Sequence, residues 1–116
     1  MPRDPRYRLR APLRLTFLAG SSRGVGRLED LSRTGLFVRS AMLPASGVRI
    51  ESLLKTASGQ LITVEGVVQW NTAGVATKQR QSGFGLRVTA HGAAYLGLIE
   101  GVIAAGERIP DFVPGS

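Results

Sequence analysis

The chain has 116 residues, 43% of them hydrophobic, which is one domain's worth of sequence with enough apolar content to bury a core. It sets 15 Lys+Arg against 8 Asp+Glu for a net charge of +7, and it has no cysteine, which excludes a disulfide framework and a thiolate metal site. No run of about eighteen apolar residues marks a membrane-crossing helix. The start, Met1-Pro2-Arg3-Asp4-Pro5-Arg6, has no apolar stretch behind it of the kind an export signal carries, so the expectation is a soluble cytoplasmic domain.

Residues 1–9, with two prolines and four charges, read as a flexible basic arm. From Arg10 the pattern changes: Leu13, Leu15 and Phe17 alternate with Pro12, Arg14 and Thr16, the period of a half-buried strand. Gly20-Ser21-Ser22 breaks it, and residues 24–30 form a second, weaker strand. A tight turn over 31–35 feeds the apolar strand 35–39. Pro44, Ser46 and Gly47 mark a loop, after which residues 48–54 alternate again. Ser58-Gly59-Gln60 turns the chain into the longest strand, 61–70, in which Gly66 predicts a bulge or bend. Residues 71–82 are polar and read as a hairpin loop, and residues 83–88 are a last strand with Phe84, Leu86 and Val88 on one face.

The period then shifts. Tyr95, Leu96, Leu98, Ile99, Val102 and Ile103 recur at three and four, which predicts an amphipathic helix over 92–105 with Gly106 as its C-cap and Pro110 blocking continuation. Gly97 and Gly101 weaken that helix, so it needs a sheet to pack on. Six short strands with regular turns and one terminal helix predict a mainly β fold: a six-stranded antiparallel barrel with a C-terminal α-helix over residues 10–106, and a loose tail over 107–116.

Enzymatic chemistry finds little support. The single histidine, His91, stands where the last strand turns into the helix, the place of a capping or surface residue. The carboxylates show no pairing suited to acid–base work or a metal, and there is no nucleophile elbow and no phosphate loop ending in Gly-Lys-Ser/Thr. Gly83-Phe84-Gly85 lacks the third glycine and the βαβ context of a dinucleotide fingerprint and reads as a strand start where backbones approach closely. No catalytic residue, metal or cofactor is expected.

Binding finds more. Thirteen of the 15 cations are arginine, and Arg3, Arg6, Arg8, Arg10 and Arg14 crowd the first fourteen residues. Codon bias in a GC-rich genome accounts for part of the excess but not for the clustering. Arg6 and Arg10 stand four apart where the arm meets the first strand. A guanidinium can grip a phosphate, or O6 and N7 of guanine, through two parallel N–H bonds, and its flat face stacks on a base. By themselves these arginines read as a solvated basic tail. Asp30, Ser32 and Gly35 add an acceptor for guanine N1–H and N2–H, a hydroxyl, and a glycine that lets backbone approach a ligand or adopt positive φ. By themselves they read as a turn joining two strands.

Together, Arg6-Tyr7-Arg8-Leu9-Arg10 and Asp30-Leu31-Ser32-Arg33-Thr34-Gly35 resemble the paired motifs of the PilZ domain family, Arg-x-x-x-Arg followed some twenty residues later by Asp-x-Ser-x-x-Gly. Gly35-Leu36-Phe37-Val38, Val67-Val68-Gln69-Trp70 and Gly83–Val88 resemble the family's later strands, so the likeness runs from about residue 5 to 104. It implies a bacterial receptor for cyclic di-GMP on a six-stranded barrel, with Arg6, Arg10, Asp30, Ser32 and Gly35 as binding residues, and an adaptor that signals to an effector protein as its arginine arm orders on the ligand. Many members carry a second arginine where Tyr7 stands, and often a basic residue where Pro5 stands, positions that bear on whether one ligand or a stacked pair is held. Trp70 reads as a core or rim residue with a guanine within reach. Two other classes stay open: a PilZ-like scaffold working through protein contacts alone, and a nucleic-acid-binding barrel. The charge suits the last, but seven aromatic residues, mostly at core-facing positions, leave no stacking platform.

Overall fold

A computed structural model describes residues 5–73, 82–105 and 107–109 of the chain. The strands are β1 Arg6–Ala19, β2 Ser22–Leu31, β3 Gly35–Arg39, β4 Arg49–Lys55, β5 Leu61–Asn71 and β6 Gly83–His91; buried and exposed residues alternate along β4, β5 and the second half of β1, whereas β6 is buried continuously over residues 83–86. They are followed by helix α1, Ala93–Ala105, and a short strand β7, Glu107–Ile109. All pairings are antiparallel, in the order β2-β3-β6-β5-β4-β1, and β1 also pairs with β2. That last pairing closes the sheet into the six-stranded barrel with a C-terminal helix that the sequence predicts, and closure removes the barrel's free edges.

Inward positions fill the core. Leu15, Leu28, Leu36, Ile50, Leu54, Ile62, Val64, Val68 and Leu86 are buried, and Phe17 meets Phe84 edge to face at 5.2 Å. Each such side chain contributes about 1.5–3 kcal/mol by leaving water. The β1–β2 hairpin turns through Gly20-Ser21, and Gly20 takes the left-handed φ of 64° that such a tight turn requires. The irregularity expected at Gly66 is present: β5 and β6 slip register between Glu65 and Gly66, and a Cβ on Gly66 would stand 2.5 Å from the Arg87 carbonyl oxygen.

Helix α1 buries Tyr95 and Ile99, with Leu98, Val102 and Ile103 half-buried beside them, and packs on β1 and β5. It starts one residue later than predicted because the Gly92 carbonyl accepts the Tyr95 N–H at 3.1 Å, closing its first turn. The expected cap, Gly106, lies outside the described residues. Among the described residues the Tyr95 hydroxyl has no hydrogen-bond partner, and burial raises its pKa above the ordinary tyrosine value.

Two boundaries differ from expectation. β1 starts at Arg6 rather than Arg10, since Tyr7 and Arg8 stand in register with Leu31 and Asp30 of β2. Residues 107–109, expected in a loose tail, form β7, which pairs Arg6 with Ile109 and Arg8 with Glu107. Between Arg8 and Leu13 the β1–β2 register shifts, so residues 9–12 span the step that Glu29 takes alone on β2. Pro12 lies in this stretch and has no N–H to give a ladder, which is why the periodic pattern in the sequence becomes legible only after it.

Candidate functional site

The turn between β2 and β3 is organised by Ser32. Its hydroxyl accepts the backbone N–H groups of Thr34 and Gly35 at 3.3 and 3.1 Å, and its own N–H donates to the Gly35 carbonyl at 2.8 Å. The Val88 N–H donates to the Thr34 carbonyl at 2.8 Å and ties the turn to β6. Ser32 therefore uses its oxygen lone pairs on the chain and keeps its hydroxyl proton to give. Gly35 does not have a positive φ; its value is space, since a Cβ there would lie 3.2 Å from the Leu86 carbonyl oxygen.

Asp30, just before the turn, accepts a hydrogen bond from Arg6 Nη2 at its Oδ1, an ion pair joining β1 to β2. Burial raises the Asp30 pKa, against the opposing pull of Arg6 and, more weakly, Arg8. A half-buried carboxylate with one cationic partner binds donors well, because losing a partner there costs more than it does in open water.

Beside this pair lies an open groove of about 490 Å³ whose walls include Arg6, Ser32, Gly35, Gln69, Trp70 and Arg87. Trp70 stacks on Phe37 at 5.6 Å and 18° between planes. Its position depends on Gly85 across the β5–β6 ladder, where a Cβ would stand 2.3 Å from Trp70 Nε1. A second register slip, between Val68 and Trp70, shifts which β5 residues face the groove. Arg87 stands opposite Gly35 in the β3–β6 register, so a second guanidinium lines the groove along with Arg6. Two cations, a hydroxyl, a tight glycine turn and a flat aromatic ring suit an anion that carries planar rings.

Of the five residues singled out from sequence, Arg6, Ser32 and Gly35 line this groove and Asp30 holds Arg6. Arg10 does not join them. It is exposed and borders a separate cleft between β1 and α1, with Leu9, Leu13, Leu98 and Val102. The register shift after Arg8 is the reason, because it turns the chain out of the ladder before Arg10 is reached. Gln69 and Arg87 escaped sequence reasoning. Alternation alone shows that both point outward, but not that the two strands place them around one groove. The glycines at 83 and 85 were the available signal: each makes room for a ring on a neighbouring strand, Phe37 for Gly83 and Trp70 for Gly85.

His91 sits against Tyr95, with ring centres 5.0 Å apart, and its Nδ1 lies 3.0 Å from the Gly92 carbonyl oxygen. Among the described residues no three His, Cys, Asp or Glu side chains cluster as a metal site would, and no helix is long and apolar enough to cross a membrane.

Comparison with known proteins agrees with the barrel. The structure is similar to that of the Bacillus subtilis inhibitor of motility (MotI/DgrA), with a TM-score of 0.70 at 16% identity, over 90% of this chain and 51% of that one. The chain thus spans about half the length of that protein, and at this identity the likeness is one of fold. No curated protein matches the sequence. The family model of the PilZ domain matches residues 2–104, and the chain belongs to the PilZ domain family.

Proposed function

From that membership we propose that the chain is a cytoplasmic receptor that takes cyclic di-GMP in the Trp70 groove and acts as an adaptor on an effector protein, without catalysis of its own. The observation that carries this reading is the meeting of Arg6, Ser32, Gly35, Trp70 and Arg87 around one groove, with Asp30 beside them. The ligand is a dianion with two guanines. Its phosphates draw Arg6 and Arg87. As Arg6 turns to a phosphate it releases Asp30, whose carboxylate then accepts guanine N1–H and N2–H. The Ser32 proton and the backbone at Gly35 serve the ligand's polar edge, and Trp70 offers a face to a base.

Arg6 leaves one acceptor for another, so the net gain is smaller than a fresh charge-assisted bond of about 1.5–3 kcal/mol, and affinity settles near micromolar, about −8 kcal/mol. The response lies in the first part of β1. Residues 6–8 pair with β7 on one side, Tyr7 and Arg8 pair with β2 on the other, and the β2 ladder is interrupted just after them. Movement of this segment brings Arg10 to the ligand from its present cleft and alters the surface an effector meets.

Calorimetric titration of the purified chain with cyclic di-GMP, GTP and a single-stranded oligonucleotide at two salt concentrations tests this. Saturable binding of the cyclic dinucleotide alone is expected. Steeply salt-dependent oligonucleotide binding in its place would overturn it in favour of a nucleic-acid barrel, and no binding at all would leave a protein-contact scaffold.

A further inference from the structure

The strand register puts an unbalanced row of cations on another face of the barrel. Arg27 of β2 stands directly opposite Arg14 of β1, and Arg14 directly opposite Lys55 of β4. Arg39 of β3, opposite Arg27, extends the row but is engaged by Glu29 at 3.5 Å. All four are exposed, and among the described residues Arg14, Arg27 and Lys55 form no ion pair. Directly opposed residues have Cα atoms about 4.5–5.5 Å apart, and like charges so placed destabilise a sheet. A fold gains nothing internally from this arrangement.

Two residues along each strand, Val25, Thr16 and Leu53 form a parallel row on the near side of a groove of about 640 Å³, and the next row, Arg23, Leu18, Glu51 and Glu65, lines its far side. Val25 and Leu53 are 59% and 36% exposed, and Leu18, at 37%, lies beyond them on the same groove. A cationic edge thus runs alongside a trough whose near wall is aliphatic at Val25 and Leu53 and whose far wall carries the carboxylates of Glu51 and Glu65.

We propose that this face docks an acidic amphipathic helix of a partner protein, its carboxylates on the Arg27–Arg14–Lys55 row and its apolar flank in the trough. The spacings agree: a helix presents a residue on one face about every 5.4 Å of axis, close to the separation of neighbouring strands, about 4.8 Å. Acidic residues at i, i+4 and i+7 therefore meet three successive strands. A nucleic acid fits less well, because Glu51 and Glu65 in the trough repel its phosphates and, among the described residues, this face has no exposed aromatic on which a base could stack. An anionic bilayer fits less well because, among the described residues, the face lacks the tryptophan or tyrosine anchors of an interfacial surface. The proposal rests on the row and the trough alone and does not depend on what the Trp70 groove binds.

The test is amide chemical-shift mapping of the whole chain with three probes: a designed helical peptide with Glu at i, i+4 and i+7 and Leu along the next flank, a single-stranded oligonucleotide, and phosphatidylglycerol vesicles. Peptide shifts centred on Arg14, Val25, Arg27, Leu53 and Lys55 are expected. They should weaken at least about tenfold in an Arg14→Glu/Arg27→Glu/Lys55→Glu variant whose amide spectrum away from the row matches the parent's. If that variant fails to fold, Arg14→Gln/Arg27→Gln/Lys55→Gln serves, and relief of like-charge repulsion should make it melt higher than the parent. Peptide shifts elsewhere, no peptide binding, or tighter binding of the oligonucleotide or the vesicles at this row would overturn the proposal.

Discussion

On the Trp70 side of the barrel, Arg6 is held by Asp30 at the edge of a groove that has a stacked ring, a capped turn and a glycine wall. On the β2–β1–β4 side, Arg14, Arg27 and Lys55 stand side by side on regular strands, and among the described residues no carboxylate engages them. Both faces are cationic, but the first supplies a preformed exchange partner and a concavity of ligand size, and the second supplies repetition along a ladder. An arginine paired beforehand selects, because a ligand must outdo the carboxylate. An arginine among like charges attracts, because any extended anion relieves it.

The largest effect that would break this contrast is at Gly85. Gly85→Leu places side-chain atoms where Trp70 now lies, so we expect cyclic di-GMP binding to fall about a hundredfold and stability to drop by about 1–3 kcal/mol, seen in calorimetry and urea titration. Next is Arg6→Ala, which should weaken the ligand about ten- to a hundredfold while stability shifts by under about 1 kcal/mol, because the pair it leaves is part-exposed. Arg10→Ala should cost less than Arg6→Ala, about tenfold; an equal or larger loss would show that the groove is assembled mainly by the moving segment. Asp30→Ala should lose about tenfold in affinity with the fold intact, and if it unfolds instead, the Arg6–Asp30 pair is structural.

Smaller effects fall outside both faces or on the row. Tyr95→Phe removes a buried hydroxyl without a partner among the described residues and should gain about 1 kcal/mol in urea titration. Its pH dependence has a definite sign. Burial raises the Tyr95 pKa in the folded state, so the unfolded chain ionises first, and stability present below about pH 10 is lost as pH rises through and beyond it. The phenylalanine variant should lack Tyr95's share of that alkaline loss. Arg14→Gln should leave cyclic di-GMP binding unchanged and raise stability by about 0.2–1 kcal/mol through relief of its neighbours.

Much of this protein could be read before its structure. The alternation in residues 13–17, 49–54 and 61–68 determined strands, because one face of each must leave water. The three-and-four spacing from Tyr95 to Ile103 determined the helix, and the two short motifs around Arg6 and Asp30 pointed to the family. Those signals are local, written within a few residues by periodicity or by turn chemistry. What the tertiary structure alone decided is which outward-facing residues share a surface. Arg87 reaches the groove because β6 pairs with β3, Arg10 leaves it because β1 slips against β2, and Arg14, Arg27 and Lys55 form a row because three strands distant in sequence align in one register. Register is set by packing the inner face of a closed barrel, so the order of the outer face follows from the core and is not written in any one stretch of the chain.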